Sequence, residues 1–377
     1  MIERTLLQGL NLSTDPKKAI IILGPRQAGK TTLVKTFANS LKREYTYTSG
    51  DDPTIRNLWK PENVTTVIQL IGNKKLVIID EAQALENIGL LVKILIDREL
   101  DYQFVITGST ALELANQTFE SLTGRYKDYR LLPVSLDEIR KTYGLMEVIE
   151  NLPNRLVFGS YPEVVTKAEM ARDVVVNIAQ SYLYKDILSL SGLRKPQILD
   201  NLLKALSWQV GSQVSYSELS RSLGIDVKTI DHYINILEKN FVLFVLPSFA
   251  RNLRSELSRS KKIYFYDNGI RNSVINNFSS IPMRSDVGQL WENYLISERI
   301  KWLKNSNIQA NQYFWRTVNQ TEIDYIEETD GRISAFEFKY NPNNKAKISG
   351  SFIEAYQPVE TRQIHQENYW EWLSDPK

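Results

Sequence analysis

Gly24, Pro25, Arg26, Gln27, Ala28, Gly29, Lys30 and Thr31, with Thr32 behind them, run G-x-x-x-x-G-K-T-T. That order of residue types suits one task. Glycines let the backbone curl until successive N–H groups point inward at the oxygens of a phosphate chain. Lys30 then reaches the β- and γ-phosphates, and the Thr31 hydroxyl is placed to ligate Mg²⁺. A helix beginning at this point adds the positive end of its dipole. ATP and Mg²⁺ are the expected ligands.

Fifty residues after Lys30 stands Asp80, followed by Glu81, at the end of the apolar run Leu76-Val77-Ile78-Ile79. Carboxylates at the carboxyl end of a buried strand lie where open α/β sheets bind ligands. Asp80 is the expected support of Mg²⁺ through its water shell. Glu81 is the expected group that orients the water attacking the γ-phosphorus. The run Phe104 to Ile106 leads into Thr107-Gly108-Ser109, where Ser109 is the candidate contact to that water or to the γ-phosphate. An arginine completing the charge shell comes from the same chain or from a neighbouring subunit. Arg125, in Leu122-Thr123-Gly124-Arg125, is the first candidate and Arg26 the second.

Such residues need strands to aim them. Ala19 to Leu23 reads as a buried strand and Lys30 to Lys42 as the helix after it. Leu76–Ile79, Phe104–Thr107 and Tyr129–Leu132 read as further strands, with a helical stretch at Glu86–Leu100. This alternation marks a parallel sheet with crossover helices, so the fold class is α/β. Helical patterns dominate from Val148 to Leu203, broken at Gly159-Ser160-Tyr161-Pro162. Asp286–Leu303 reads as a long helix, followed by strand-like runs at Gln312–Thr317, Glu322–Glu327 and Ile333–Tyr340.

With 377 residues, two or three domains are expected. The net charge of +2 gives no global electrostatic reason to bind nucleic acid, so any such case rests on local patches. The absence of cysteine excludes disulfides, thiolate zinc sites and cysteine nucleophiles. His232 and His365 are the only histidines, which argues against a histidine-rich metal site. The longest apolar run, Phe241 to Leu246, falls far short of the roughly 20 residues of a membrane helix. The amino terminus lacks the pattern of a secretion signal, and a soluble, cytoplasmic protein is expected.

Gly24–Leu33, Ile79-Asp80-Glu81-Ala82-Gln83, Thr107-Gly108-Ser109 and Gly124-Arg125 together resemble the prokaryotic AAA-type P-loop ATPases. Phe158–Glu163, Tyr184–Ile187 and Trp291-Glu292-Asn293 resemble the sub-family with a carboxy-terminal domain of unknown function. The resemblance implies a P-loop NTPase core with a helical lid, then a winged helix-turn-helix, then an α/β restriction-endonuclease-like domain. The corresponding boundaries are 1–145, 146–200, 201–280 and 281–377. No second sensor arginine is identifiable in the lid, a departure from better-studied AAA machines.

Tyr216–Leu223, the turn at Gly224 and a helix capped by Asp226 form the helix-turn-helix, with Ile230, Ile234 and Leu237 facing inward. Lys228, Asp231, His232, Asn235 and Lys239 then face outward, and the strand-like runs Phe241–Leu246 and Ile263–Tyr266 flank the basic stretch 251–262. DNA is the partner that a basic wing beside such a helix suggests; protein contact is the alternative.

Further on, Asp324 is followed 13 residues later by Glu337-Phe338-Lys339, resembling the D…E-x-K core of restriction-endonuclease-like folds, with Glu292 supplied by the preceding helix. Carboxylates converging in this way bind Mg²⁺, and the lysine steadies a water or the developing charge. The same pattern also fits a surface ion pair, or the fold without cleavage.

The leading expectation is a Mg²⁺-dependent ATPase whose turnover moves the winged helix and the nuclease-like module. A DNA-directed ATPase–nuclease in defence or repair, and a nucleotide-gated switch or scaffold, are the alternatives. Self-association as a homo-oligomer is left open, and no membrane partner is expected.

Overall fold

The computed structural model describes residues 2–11, 14–109, 121–187, 196–249, 260–317 and 321–374. Residues 251–259 of the expected basic wing lie outside these. The chain forms two compact units, one from residues 3–132 with 239–241 and the other from 133–238 with 242–377.

In the first unit, strands β1 (Ala19–Leu23), β2 (Tyr45–Ser49), β3 (Leu76–Asp80), β4 (Gln103–Gly108) and β5 (Tyr126–Arg130) form a parallel sheet. Its order is β2-β3-β4-β1-β5. The central strands β1, β3 and β4 are buried throughout, as a sheet covered on both faces requires. Helix α1 (Leu6–Asn11) precedes the sheet, and α2 (Lys30–Ser40) follows β1. Leu33, Val34, Phe37 and Ala38 of α2 pack on Ile20, Ile22, Leu76, Ile78 and Val105. Truncating Phe37, which is fully buried, to alanine costs about 3–5 kcal/mol. Helices α3 (Pro53–Leu58), α4 (Val64–Ile71) and α5 (Ile88–Asp97) also belong to the unit.

Two local expectations shift. Strand β5 occupies Tyr126–Arg130 and not Tyr129–Leu132, because register with β1 runs from Ala19 opposite Tyr126 to Leu23 opposite Arg130. Leu131 and Leu132 are buried beyond the end of the strand, so their apolarity signals burial and not ladder pairing. Strand β2 has no apolar run at all; its Tyr-Thr alternation suits a half-exposed edge.

The second unit begins at Pro133, short of the expected boundary at 145. Helix α6 (Leu136–Tyr143) starts with a capping box between Ser135 and Glu138 and is held to a later helix: the Leu136 N–H donates to Glu298 Oε2 at 2.6 Å. Helices α7 (Leu145–Glu150), α8 (Leu152–Phe158), α9 (Pro162–Thr166) and α10 (Ala171–Ala179) follow. Then come α11 (Pro196–Trp208), β6 (Gln213–Val214), α12 (Tyr216–Leu223), α13 (Val227–Lys239), β7 (Leu243–Pro247) and β8 (Lys261–Phe265). These strands form an antiparallel sheet of order β6-β8-β7. After α14 (Asn268–Val274) and the long α15 (Val287–Asn305) comes a mixed sheet of order β12-β11-β10-β9. It contains β9 (Asn311–Arg316), β10 (Glu322–Thr329), β11 (Arg332–Phe338) and β12 (Glu360–Ile364), with α16 (Gly350–Tyr356) before β12.

The three later modules expected as separate domains share one polar hub. Asn293 on α15 donates to Phe265 O and Asn268 Oδ1 and accepts from the Phe265 N–H. Asn268 and Asn272 donate to main-chain carbonyls of α8, and the Ser160 N–H donates to Asp267 Oδ2 at 2.7 Å. These groups are buried, and leaving any one unmatched costs about 1–3 kcal/mol, so the hub fixes the arrangement.

Candidate active site

The phosphate loop leaves the carboxyl end of β1 and turns directly into α2. A Cβ on Gly24 would stand 2.0 Å from Leu131 O, so no other residue fits where β1 passes that backbone. Gly29 has φ 95, a left-handed conformation that glycine adopts at no steric cost, and it caps α2. Ala28 is buried, Arg26 and Gly29 are half-buried, and Gln27 and Thr32 are exposed. Arg4, 24 residues upstream of the loop, donates to Ala28 O at 2.8 Å and to Leu132 O at 2.6 Å. Lys30 is 4% exposed, and its ammonium donates to Gly24 O and Pro25 O, both at 3.0 Å. The lysine is held on the loop's own carbonyls, within reach of the space the loop encloses.

Asp80 ends β3 and is 2% exposed. Three hydroxyls meet its carboxylate: Thr31 Oγ1 at 2.7 Å and Tyr47 Oη at 2.6 Å on Oδ2, and Thr107 Oγ1 on Oδ1. Burial, and then Asp80 itself, hold the Tyr47 phenol above its ordinary range, so Tyr47 stays a donor. Thr31 and Asp80 therefore lie one hydrogen bond apart. A hydroxyl beside a carboxylate, next to a loop of main-chain N–H groups, is a donor set that fits Mg²⁺ with a nucleotide phosphate.

Glu81 takes φ 48 and ψ 47, a left-handed backbone costing an ordinary residue about 1–2 kcal/mol. Its N–H is secured by Thr107 Oγ1 at 3.2 Å. Gln83 donates from Nε2 to Glu81 Oε2 at 2.5 Å and to Ser109 Oγ at 2.9 Å, and its Oε1 accepts the Ser109 N–H at 3.3 Å. Glu81, Gln83 and Ser109 are thus linked as one group.

Arg125 is not brought to this site. Its carbonyl accepts from the Ala19 N–H, at the amino end of β1, while the phosphate loop leaves the other end. A five-residue strand puts about 15 Å between them. The Arg125 guanidinium instead pairs with Asp97 at 2.7 Å. As a same-chain completion of the charge shell, Arg125 is corrected by this placement. Tyr47, Gln83 and Arg4 were missed by sequence reasoning. Gln83 lies within the Ile79–Gln83 motif and could have been singled out; Tyr47 and Arg4 carry no local signal.

Residues 16–140 match the family model described as an AAA domain. The first unit carries an AAA-type P-loop domain. Residues 149–280 and 287–369 match two further models, each described only as a domain of unknown function. An uncharacterized protein of Mycobacterium tuberculosis is 26% identical over 325 residues, covering 85% of this chain and 70% of that protein. An uncharacterized protein of Haemophilus influenzae is 25% identical over 296 residues, covering 73% and 74%. Among solved structures, the Thermotoga maritima RuvB Holliday junction branch migration motor matches 67% of this chain and 91% of its own. The identity is 19% and the TM-score 0.35. No helix among the described residues is long and apolar enough to cross a membrane.

In the second unit, three of the four residues expected at a nuclease-like site, Asp324, Glu337 and Lys339, come together, and Glu292 lies within electrostatic reach of both carboxyls. Lys339 Nζ lies 3.8 Å from Asp324 Oδ2 and 3.4 Å from Glu337 Oε2. Asp324 also accepts the Phe338 N–H at 2.8 Å. Burial and the neighbouring Glu337 push Asp324 up to about 6, and burial raises Glu337 as well. Glu292 is pushed up to about 7 by burial, against the pull of Lys262. Two residues missed from sequence hold Glu292: Lys262 Nζ at 3.0 Å and Tyr264 Oη at 2.6 Å, both on Oε1. Lys262 also pairs with Glu322, which Arg316 meets at 3.3 Å.

Proposed function

We propose that the first unit binds ATP with Mg²⁺ and hydrolyses it. The observation that carries this is the Thr31–Asp80 contact beside the loop, with Glu81, Gln83 and Ser109 joined next to it. Thr31 and Asp80 would hold Mg²⁺, which when bound neutralises charge on the phosphate oxygens. Lys30 exchanges its bonds to Gly24 O and Pro25 O for the β- and γ-phosphates. The Glu81 carboxylate accepts a hydrogen bond from the attacking water and takes up its proton. Gln83 positions Glu81 and ties it to Ser109, the contact to the γ-phosphate. Arg26, within the loop, is the same-chain candidate to complete the charge shell; Arg125 serves only if a neighbouring copy presents it.

The second unit is read as the driven part. The order α11-β6-α12-α13-β7-β8, with sheet order β6-β8-β7, supports a winged helix. Lys228, Asp231, His232, Asn235 and Lys239 on α13 are exposed, a face suited to DNA phosphates. The helix α15 followed by β9 to β12, with Asp324, Glu337 and Lys339 drawn together, supports a nuclease-like fold.

The test is phosphate release by wild type and Glu81→Gln, with ATP binding measured on both. Glu81→Gln is expected to keep ATP affinity within a few-fold and to lose turnover by about 10²–10³. Wild-type turnover in Glu81→Gln would sink the assignment.

A further inference from the structure

Lys262 is an unusual lysine. It belongs to β8, which pairs with both β6 and β7, yet its side chain is only 2% exposed. Lysine is among the residue types least often buried, and an ammonium removed from water without partners costs several kcal/mol. Its surroundings are built to hold the charge. Glu292 on α15 accepts from it at 3.0 Å, Glu322 on β10 pairs with it, and the Phe314 ring lies 5.3 Å away beneath its Nζ. Three elements distant in sequence are thus drawn around one positive charge.

We propose that Lys262 is a built-in cation that closes the terminal carboxylate cluster to divalent metal. A metal-dependent nuclease of this form would hold a doubly charged ion among Glu292, Asp324 and Glu337; this chain supplies an ammonium at Glu292. The inference rests on reading the terminal domain as nuclease-like.

The geometry explains why the closure is strong. A divalent ion takes carboxylate oxygens as ligands at about 2.0–2.6 Å. Glu292 Oε1 is already shared by Lys262 and the Tyr264 hydroxyl. Admitting the metal at Glu292 would take one of two carboxylates from a buried ammonium and set a second, larger positive charge beside it. Lys339 poses no such obstacle: its side chain is 36% exposed and can turn to water. Among the described residues, no group of three or more His, Cys, Asp or Glu side chains is arranged to hold a metal ion. The carboxylates that resemble a cleavage site thus already hold two lysines, and removing the Lys262 charge is what would open Glu292 to a metal.

Mn²⁺ binding to the nucleotide-free full chain, followed by electron paramagnetic resonance, tests this. Wild type, Glu292→Gln, Lys262→Met and the double variant are compared, so Mn²⁺ held at the phosphate loop is common to all four. Wild type and Glu292→Gln are expected to bind alike. Lys262→Met is expected to gain a site with affinity raised about ten-fold or more, lost again in the double variant. Two results overturn the proposal: a wild-type site that Glu292→Gln abolishes, or a folded Lys262→Met that gains nothing. If Lys262→Met does not fold by circular dichroism, wild type against Glu292→Gln decides alone. ATP turnover on the same samples reports on the first unit separately, so either conclusion can fail without the other.

Discussion

Two carboxylate sites in this chain are built from similar parts and held in opposite ways. At the end of β3, Asp80 is met by hydroxyls from Thr31, Tyr47 and Thr107, and the nearby cation, Lys30, rests on main-chain carbonyls. In the second unit, Glu292 and Glu322 share the ammonium of Lys262. Hydroxyls are neutral and rotate, so a metal ion can take the carboxylate oxygens and accept the hydroxyl oxygens as well. A buried ammonium cannot be displaced without leaving its charge behind. The kind of donor facing a carboxylate therefore matters as much as the carboxylate.

The sharpest way to break this comparison is Asp80→Asn. Turnover should fall by about 10³ while ATP binding without metal stays near wild type, because the amide oxygen can still accept from Thr31 and Tyr47 while its NH₂ donates to the Thr107 hydroxyl. An unchanged rate of phosphate release would remove Asp80 from the site. A smaller effect is expected at Asp324. Its pKa is raised from 3.8 to about 6 by burial and Glu337, so the folded state favours the protonated form. Its contribution to stability is fully present below pH 3.8 and is lost as pH rises through about 6, a change of up to about 3 kcal/mol. Asp324→Asn should flatten that part of the stability–pH curve; thermal melts at pH 4, 5, 6 and 7 would show it, and an unaltered slope would refute it. The smallest effect is predicted for Tyr47→Phe. Two hydroxyls remain on Asp80, so ATP affinity in Mg²⁺ should change by about 2- to 10-fold, measured by titration with a fluorescent nucleotide.

The first site was largely legible in the sequence because its chemistry is local. Gly24 to Thr31 is contiguous, and Asp80 closes an apolar run whose burial is complete. Its partners were not legible: Tyr47 sits on an edge strand with no apolar signature, and reaches Asp80 only because β2 lies beside β3. In the second unit the resemblance to a D…E-x-K core singled out Asp324, Glu337 and Lys339, and Lys339 lies beside both carboxylates. Lys262 read as part of the basic stretch 251–262 offered to DNA. Pairing of β8 between β6 and β7 decides otherwise, and that pairing joins residues far apart in sequence. Arg125 misses the site of its own chain for the related reason that proximity to a strand does not say which end of the sheet it occupies.

Arg4 gives the first unit a mechanical property. One guanidinium grips Ala28 O in the phosphate loop and Leu132 O at the last residue of the unit, where the chain departs. The loop and the segment beyond β5 share that clasp, and Leu131 O lies against Gly24. Arg4→Ala would therefore release the phosphate loop and the segment beyond β5 together, because one side chain sets the position of both.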